Sequence, residues 1–158
     1  MTNVRLLVLA LAALGGCRAT ESIAPLPAGE LQAAPLAITV GGQTLTLVTE
    51  LWRDFMPVTP PNGKPLFAVM RVRAANGGAL TATFQVDALW IVNGAETWAT
   101  AVTEENVLPR GAAYHEWVAR DGPKWNPGVR VDVIVRVREA SGATQLLRAA
   151  NQLIQRSD

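Results

Sequence analysis

The side chains that most often carry out chemistry are scarce in this sequence. There is one cysteine, Cys17, and one histidine, His115. The serines are Ser22, Ser141 and Ser157. None of them lies in a strand-to-helix turn that presents a nucleophile to a histidine–acid pair. We therefore expect no catalytic residues of this kind, and His115 is interpreted as a strand residue beside Glu116.

Ligands for a metal or a cofactor are equally scarce. Soft and imidazole metal sites need several Cys or His side chains, and no acidic loop has the glycine and the regular spacing of oxygen ligands found in calcium sites. The adjacent Glu104 and Glu105 are interpreted first as solvated charge, because a glycosidase needs two carboxylates that face each other across a cleft. The sequence predicts no metal and no cofactor, and a carboxylate-dependent hydrolase is the catalytic alternative.

The N-terminus carries a targeting pattern. Arg5 precedes a charge-free apolar run, residues 6–14, which is shorter than the roughly 20 residues that span a bilayer and typical of a secretory signal. Two small residues and Cys17 follow. Leu14-Gly15-Gly16-Cys17 resembles the lipobox of bacterial lipoproteins. The resemblance implies cleavage before Cys17 and acylation of its thiol.

This resemblance also implies a domain organisation and a location. Residues 1–16 are the lipoprotein signal peptide, residues 17–35 are the lipidated Cys17 with a flexible tether, and residues 36–158 are the folded domain. Arg18 follows Cys17 where an aspartate often marks inner-membrane retention. The resemblance therefore implies a lipid-anchored protein of the cell envelope, on the outer membrane and facing the periplasm if the cell has two membranes. Multiple acyl chains give stable anchoring.

Residues 18–35 contain three prolines and neither helical nor strand periodicity. This composition predicts an extended, mobile tether. The alternative is a segment that packs on the domain.

From residue 36 onward, short alternating apolar segments are separated by turn signals, which is the pattern of an all-β domain. Gly41-Gly42 and Asn93-Gly94 predict tight hairpins. The predicted strands are residues 38–40, 45–47, 66–73, 84–92, 97–102, 114–120, 129–138 and 144–149, and residues 151–156 are either a strand or a short helix.

Seven to eight strands of this kind predict an antiparallel β-sandwich of two sheets. It resembles an immunoglobulin-like fold without the cysteine pair of true immunoglobulin domains, and a small closed barrel is the alternative. One face of the strand at residues 129–138 is expected to be buried: it carries Val129, Val131, Val133, Val135 and Val137. In the strand at residues 84–92, the even-numbered residues, with Trp90 among them, are expected to face the core.

Two proline-stiffened loops, residues 52–64 and 121–128, are the candidate binding region, because long ordered loops often carry binding. If consecutive strands alternate in direction, both loops and the Asn93-Gly94 turn lie at one end. The candidate binding residues are Trp52, Phe55, Met56 and Trp125. The alternative is that the aromatic side chains fold back and plug the end of the core.

The net charge of +1 argues against a nucleic-acid partner, which needs clustered, unbalanced basic residues. The sequence thus predicts a non-catalytic envelope lipoprotein, a binding or accessory module that engages a protein or a glycan through its end loops. An envelope hydrolase that uses carboxylates and a purely structural subunit of an envelope complex are the alternatives. The oligomeric state is left open.

Overall fold

The chain folds as an all-β domain, as predicted. A computed structural model describes residues 23–106, 109 and 111–158. This part of the chain contains one helix and nine strands. They are α1 (Ala28–Ala33), β1 (Ala37–Val40), β2 (Gln43–Asp54), β3 (Leu66–Ala74), β4 (Phe84–Asn93), β5 (Glu96–Ala101), β6 (Thr103–Asn106), β7 (Tyr114–Gly122), β8 (Arg130–Glu139) and β9 (Thr144–Ser157).

The strands form a single mixed sheet that curls toward a barrel, rather than two separate sheets. Its order is β5-β4-β8-β9-β2-β3-β7-β6, and β1 also pairs with β2. The two edge strands, β5 and β6, are separated in the chain only by Val102. The all-β prediction is therefore confirmed, while the strands are hydrogen-bonded as one continuous sheet.

Strand β9 joins the two halves of this sheet. Its first part pairs antiparallel with β8, and its last four residues, from Ile154 to Ser157, pair parallel with β2. Between these parts, Asn151 has a φ of 60°, and its N–H donates to Asp132 Oδ1 at 2.8 Å. Because of this bend, β9 pairs with a strand of each half of the sheet. Residues 151–156 are therefore strand.

The main core lies between the two halves and takes side chains from both. Four of the five valines predicted to share the buried face of β8 belong to this core: Val131, Val133, Val135 and Val137. Val133 is fully buried, at 0% exposure, and Val129 lies at the margin and is partly buried. The period-2 pattern of this strand thus identified its buried face correctly.

The predicted faces of β4 are wrong in one respect. The pairing of β4 with β8 shifts register between Val86 and Ala88, so the alternation of side chains inverts at this bulge. Val86 faces the main core, as do Leu89 and Ile91, whereas Trp90 faces the opposite side of the sheet. Trp90 is nevertheless buried, because another part of the chain covers it.

The covering segment is residues 23–34. Leu31, in α1, is 0% exposed and packs in a second apolar cluster with Trp90 and Ile134. The indole N–H of Trp90 donates to Ala24 O at 3.3 Å. This differs from the prediction of a mobile tether over residues 17–35: residues 23–34 pack on the domain, as the alternative proposed. Residues 17–22 lie outside the described part of the chain.

The predicted hairpins are present. Gly41 and Gly42 have φ values of 56° and 78° and connect β1 to β2, as a type I′ turn requires. The second hairpin is displaced by one residue, because Asn93 pairs with Glu96. Its two-residue turn is therefore Gly94-Ala95.

Candidate functional site

The two long loops lie at the same end of the domain, as strand counting predicted. β2, β4, β7 and β9 all end there, because their pairings fix their directions. We call this region the loop end: residues 55–65, 94–95 and 123–129. The indole N–H of Trp125 donates to the Glu96 carboxylate, and Phe55 N–H donates to Ser157 O at 2.8 Å. The loop end is thus tied to the sheet at several points.

The buried side chain of Arg53 holds the two loops of the loop end together. Its side chain is 1% exposed. Nε donates to Lys64 O at 2.9 Å, and Nη1 donates to Lys124 O at 3.0 Å and to Trp125 O at 3.1 Å. Nη2 donates to Asn62 O. One guanidinium therefore holds the backbones of both long loops, since its rigid fork of donors satisfies four carbonyl oxygens.

Burial lowers the pKa of the Arg53 guanidinium, yet an arginine stays protonated in proteins. From the sequence, Arg53 was predicted only as a position within the loop at residues 52–64. The sequence did contain a signal for a buried Arg53, because this residue continues the inward-facing alternation of Leu45, Leu47 and Leu51. A charged residue at an inward strand position has to find buried partners.

The loop at residues 55–65 also has its own internal bonds. Met56 N–H donates to Asp54 Oδ1 at 2.9 Å, and Thr59 N–H donates to Met56 O at 2.8 Å. Gly63 has a φ of 60°, and a Cβ there would lie 2.8 Å from the Phe55 ring. These contacts define the loop conformation, and it leaves Met56 48% exposed and Val58 91% exposed.

The structure separates the four predicted binding residues. Trp125 is partly buried against the main core, as the alternative of a plug predicted. Phe55 contacts two guanidinium groups, with Arg53 Cζ 4.9 Å and Arg156 Cζ 4.2 Å from its ring centroid. Met56 is exposed, and Trp52 lies on the outer face of β2. The four side chains therefore have different surroundings.

Trp52 is one wall of a cleft on the outer face of the sheet. Its ring centroid lies 4.4 Å from that of Phe67, its partner on β3, with the rings tilted by 39°. The cleft has a volume of about 350 Å³. We call it the Trp52 cleft, and its lining residues are Trp52, Asp54, Lys64, Pro65, Leu66, Phe67, Arg120 and Asp121.

A bulge in β7 shapes the far side of this cleft. The pairing of β3 with β7 shifts register between Leu66 and Ala68, and Asp121 has a φ of 62°. Arg120 and Asp121 are consecutive, exposed and both part of the lining, whereas a regular strand directs neighbours to opposite faces. Arg120 Cζ lies 4.8 Å from the Phe67 ring centroid. Bulges often re-aim side chains in this way beside functional sites.

The near side of the cleft holds an ion pair. Lys64 Nζ lies 2.9 Å from Asp54 Oδ2. The Met56 N–H and then the Lys64 ammonium lower the pKa of Asp54, because both favour the charged carboxylate. Asp54 is therefore ionised at neutral pH.

His115 lies far from the loop end, near the start of β7, and its Nδ1 is 2.9 Å from Glu104 Oε1. It also packs beside the rings of Phe84 and Trp117. Within the described residues, no group of three or more His, Cys, Asp or Glu side chains is arranged to hold a metal ion. Cys17, the predicted lipidation site, lies outside the described residues.

None of the helices in the described part is long and apolar enough to cross a membrane. Comparison of the chain with protein-family models, with curated proteins and with solved structures finds no significant match. The function of this chain is therefore inferred from its own residues.

Proposed function

We propose that this protein is a non-catalytic, lipid-anchored binding module of the cell envelope, and that it engages its partner, a protein or a glycan, through the loop end. The observation that carries this proposal is the Arg53 guanidinium, which holds both long loops by four backbone carbonyls. Loops held in one conformation lose little entropy on binding, so their contacts contribute more fully to affinity.

The exposed apolar side chains of the loop at residues 55–65 support this proposal. Val58 and Met56 are two of the five large apolar side chains that are exposed in the described part of the chain. They lie two residues apart on a loop whose backbone is hydrogen-bonded to the side chains of Asp54 and Arg53. Apolar groups presented in this way are typical anchors for a partner surface.

The expected result for the double variant Met56→Ser/Val58→Ser is a loss of partner binding without a loss of stability. Wild-type protein is immobilised and exposed to envelope extract of the source organism, and each captured component is quantified by mass spectrometry. We expect capture of the specific partner to fall about tenfold or more, which corresponds to about 1.4 kcal/mol.

The matched control is Leu36→Ser, because Leu36 is 55% exposed and precedes β1, outside the loop end. Both variants should keep the wild-type melting temperature. Equal capture by the double variant and by wild type would contradict binding through the loop end, and it would favour the purely structural subunit.

Lipid anchoring is the second part of the proposal, and the pattern Leu14-Gly15-Gly16-Cys17 supports it. We expect wild-type protein to sediment with membranes and to have the intact mass of a chain that begins at an acylated Cys17. The variant Cys17→Ala should lack acyl chains and leave the membrane fraction. In a control, Cys17→Ala/Ser22→Cys supplies a cysteine outside the pattern and should not restore anchoring. An unmodified mature chain that begins elsewhere would contradict lipidation.

The hydrolase alternative has one observation in its favour, since Asp54 and Asp121 line the same cleft. A glycosidase needs one carboxylic acid with a raised pKa to protonate the leaving group. The pKa of Asp54 is lowered instead, so Asp54 does not suit that role. A glycosidase that used this cleft would therefore need a different side chain as its acid.

We propose further that the domain is best classified as an immunoglobulin-like β-sandwich. One apolar core takes side chains from both β3 and β8, which lie in opposite halves of the strand order. In this classification the chain crosses between the layers at the bend of β9 at Asn151, at the passage from β5 to β6, and in the connections from β3 to β4 and from β7 to β8.

A further inference from the structure

The geometry of the Trp52 cleft points to a ligand class: we propose that the cleft binds a neutral saccharide. This inference goes beyond the proposed function, since it adds a glycan site whose lining does not include the exposed loop side chains Met56 and Val58. The cleft opens on the outer face of β2, β3 and β7, beside the loop end.

The first argument is the aromatic wall. A pyranose ring has faces made of C–H groups and a rim of hydroxyl groups, so its site needs an apolar surface beside hydrogen-bonding groups. Trp52 and Phe67 supply the apolar surface as register partners on neighbouring strands, with ring centroids 4.4 Å apart. Both rings are only partly buried and line the cleft, so they present apolar surface to it.

The second argument is the polar rim. The bulge in β7 brings Arg120 and Asp121 to the same cleft, and Asp54 lies on the other side with Lys64. A carboxylate accepts two hydrogen bonds through separate oxygens, and a guanidinium donates from adjacent N–H groups. Neighbouring hydroxyl groups of a sugar match this spacing of acceptors and donors.

The third argument is charge. The lining contains two acidic residues, Asp54 and Asp121, and two basic residues, Lys64 and Arg120. Their formal charges cancel, so the cleft does not attract anions or cations by its net field. An uncharged ligand with many hydroxyl groups suits this lining better than a phosphate, a uronic acid or a strongly charged peptide.

The fourth argument is size and continuity. A volume of about 350 Å³ lies at the small end of the range for ligand sites, about 300–1,000 Å³. On its other side, Trp52 also lines a groove of about 480 Å³ with Glu50, Gln155, Arg156 and Ser157. A chain of sugars with one unit in the cleft can therefore continue past the Trp52 ring, and we expect a trisaccharide to bind more tightly than a monosaccharide.

The test uses the mature protein in detergent micelles and three neutral trisaccharides: maltotriose, cellotriose and triacetylchitotriose. Trigalacturonic acid is the charged comparator. Isothermal titration gives the dissociation constant, and saturation-transfer NMR maps the sugar protons in contact with protein. We expect at least one neutral trisaccharide to bind with a dissociation constant of about 1 mM or lower and trigalacturonic acid not to bind.

Two variants locate the site. Trp52→Leu should weaken binding about tenfold or more, because it removes the aromatic wall. Arg120→Gln changes an exposed side chain and should weaken binding severalfold, and its melting curve is measured alongside to confirm that it is folded. Leu36→Ser is the matched control, since Leu36 is exposed and does not line the cleft, and it should bind the sugar as wild type does.

Absence of binding by all three neutral trisaccharides would overturn the saccharide site, as would equal binding by wild type and Arg120→Gln, or preferential binding of trigalacturonic acid. The proposed function fails separately: the Met56→Ser/Val58→Ser variant tests the loop end, whatever the sugars do. Shortening of a bound trisaccharide would support the sugar site while overturning the non-catalytic part of the proposed function.

Discussion

Replacing Arg53 by methionine is expected to lower the free energy of unfolding by about 3–5 kcal/mol, since each buried carbonyl left without a donor costs about 1–3 kcal/mol. Arg53 is 1% exposed and donates to four backbone carbonyls in two loops, through hydrogen bonds that are partly shielded from water. Methionine fills much of the same volume but donates no hydrogen bond. Water that enters the loop end relieves part of the cost, so the expected loss is smaller than the sum of four separate penalties.

Urea unfolding followed by circular dichroism measures this loss, and amide hydrogen exchange shows where it acts. Exchange should rise at residues 55–65 and 123–129 first, while β8 stays protected up to global unfolding. Arg53→Lys should recover less than half of the loss, because one ammonium does not reproduce the planar fork of donors. The matched control is Arg73→Met, at an exposed position of β3, with an expected change within about 0.5 kcal/mol.

If Arg53→Met has the stability of wild type and unchanged exchange in both loops, then the guanidinium does not hold the loop end. The preorganised surface that carries the proposed function would lose its support. If Arg53→Met unfolds completely, Arg53→Lys still provides the comparison of loop exchange.

The variant Val133→Asp is expected to abolish folding at 25 °C. Val133 is 0% exposed and lies in the middle of the main core. A carboxylate buried there has no partner, and an unpaired buried charge costs several kcal/mol, a large part of a typical stability of about 5–15 kcal/mol. Far-ultraviolet circular dichroism and the melting curve measure the loss.

The same substitution at another valine is the control. Val58 is 91% exposed, so Val58→Asp leaves its carboxylate in water and should change stability by no more than about 0.5 kcal/mol. A melting curve of Val133→Asp close to that of Val58→Asp would mean that the inner face of β8 is assigned wrongly.

The elements themselves followed from local pattern. Alternation along residues 129–138 identified a strand and its buried valine face, and Gly41-Gly42 identified a hairpin, because both signals depend only on neighbouring residues. Strand counting then placed the two long loops at one end. This inference holds for any antiparallel succession of strands, whichever strands are paired.

Local pattern did not predict which face a side chain occupies where a β-bulge interrupts the pairing of two strands. One bulge, between Val86 and Ala88, moved Trp90 to the opposite face, and a second, in β7, brought Arg120 and Asp121 to one cleft. A bulge changes which side every later residue faces, and its position depends on the partner strand. Residues 23–34 likewise contain no apolar periodicity of their own, and they pack because the outer face around Trp90 offers an apolar surface.

The sequence by itself therefore determined the all-β class, most of the strands, the valine face of the core and the common end of the two loops, since these depend on residue type and on period-2 alternation. Only the tertiary structure decided that Arg53 holds the loops, that Trp125 packs on the core and that Trp52 forms a cleft with Phe67. Each of these contacts joins residues from different strands or loops, and strand register, which no single strand encodes, determines whether they meet.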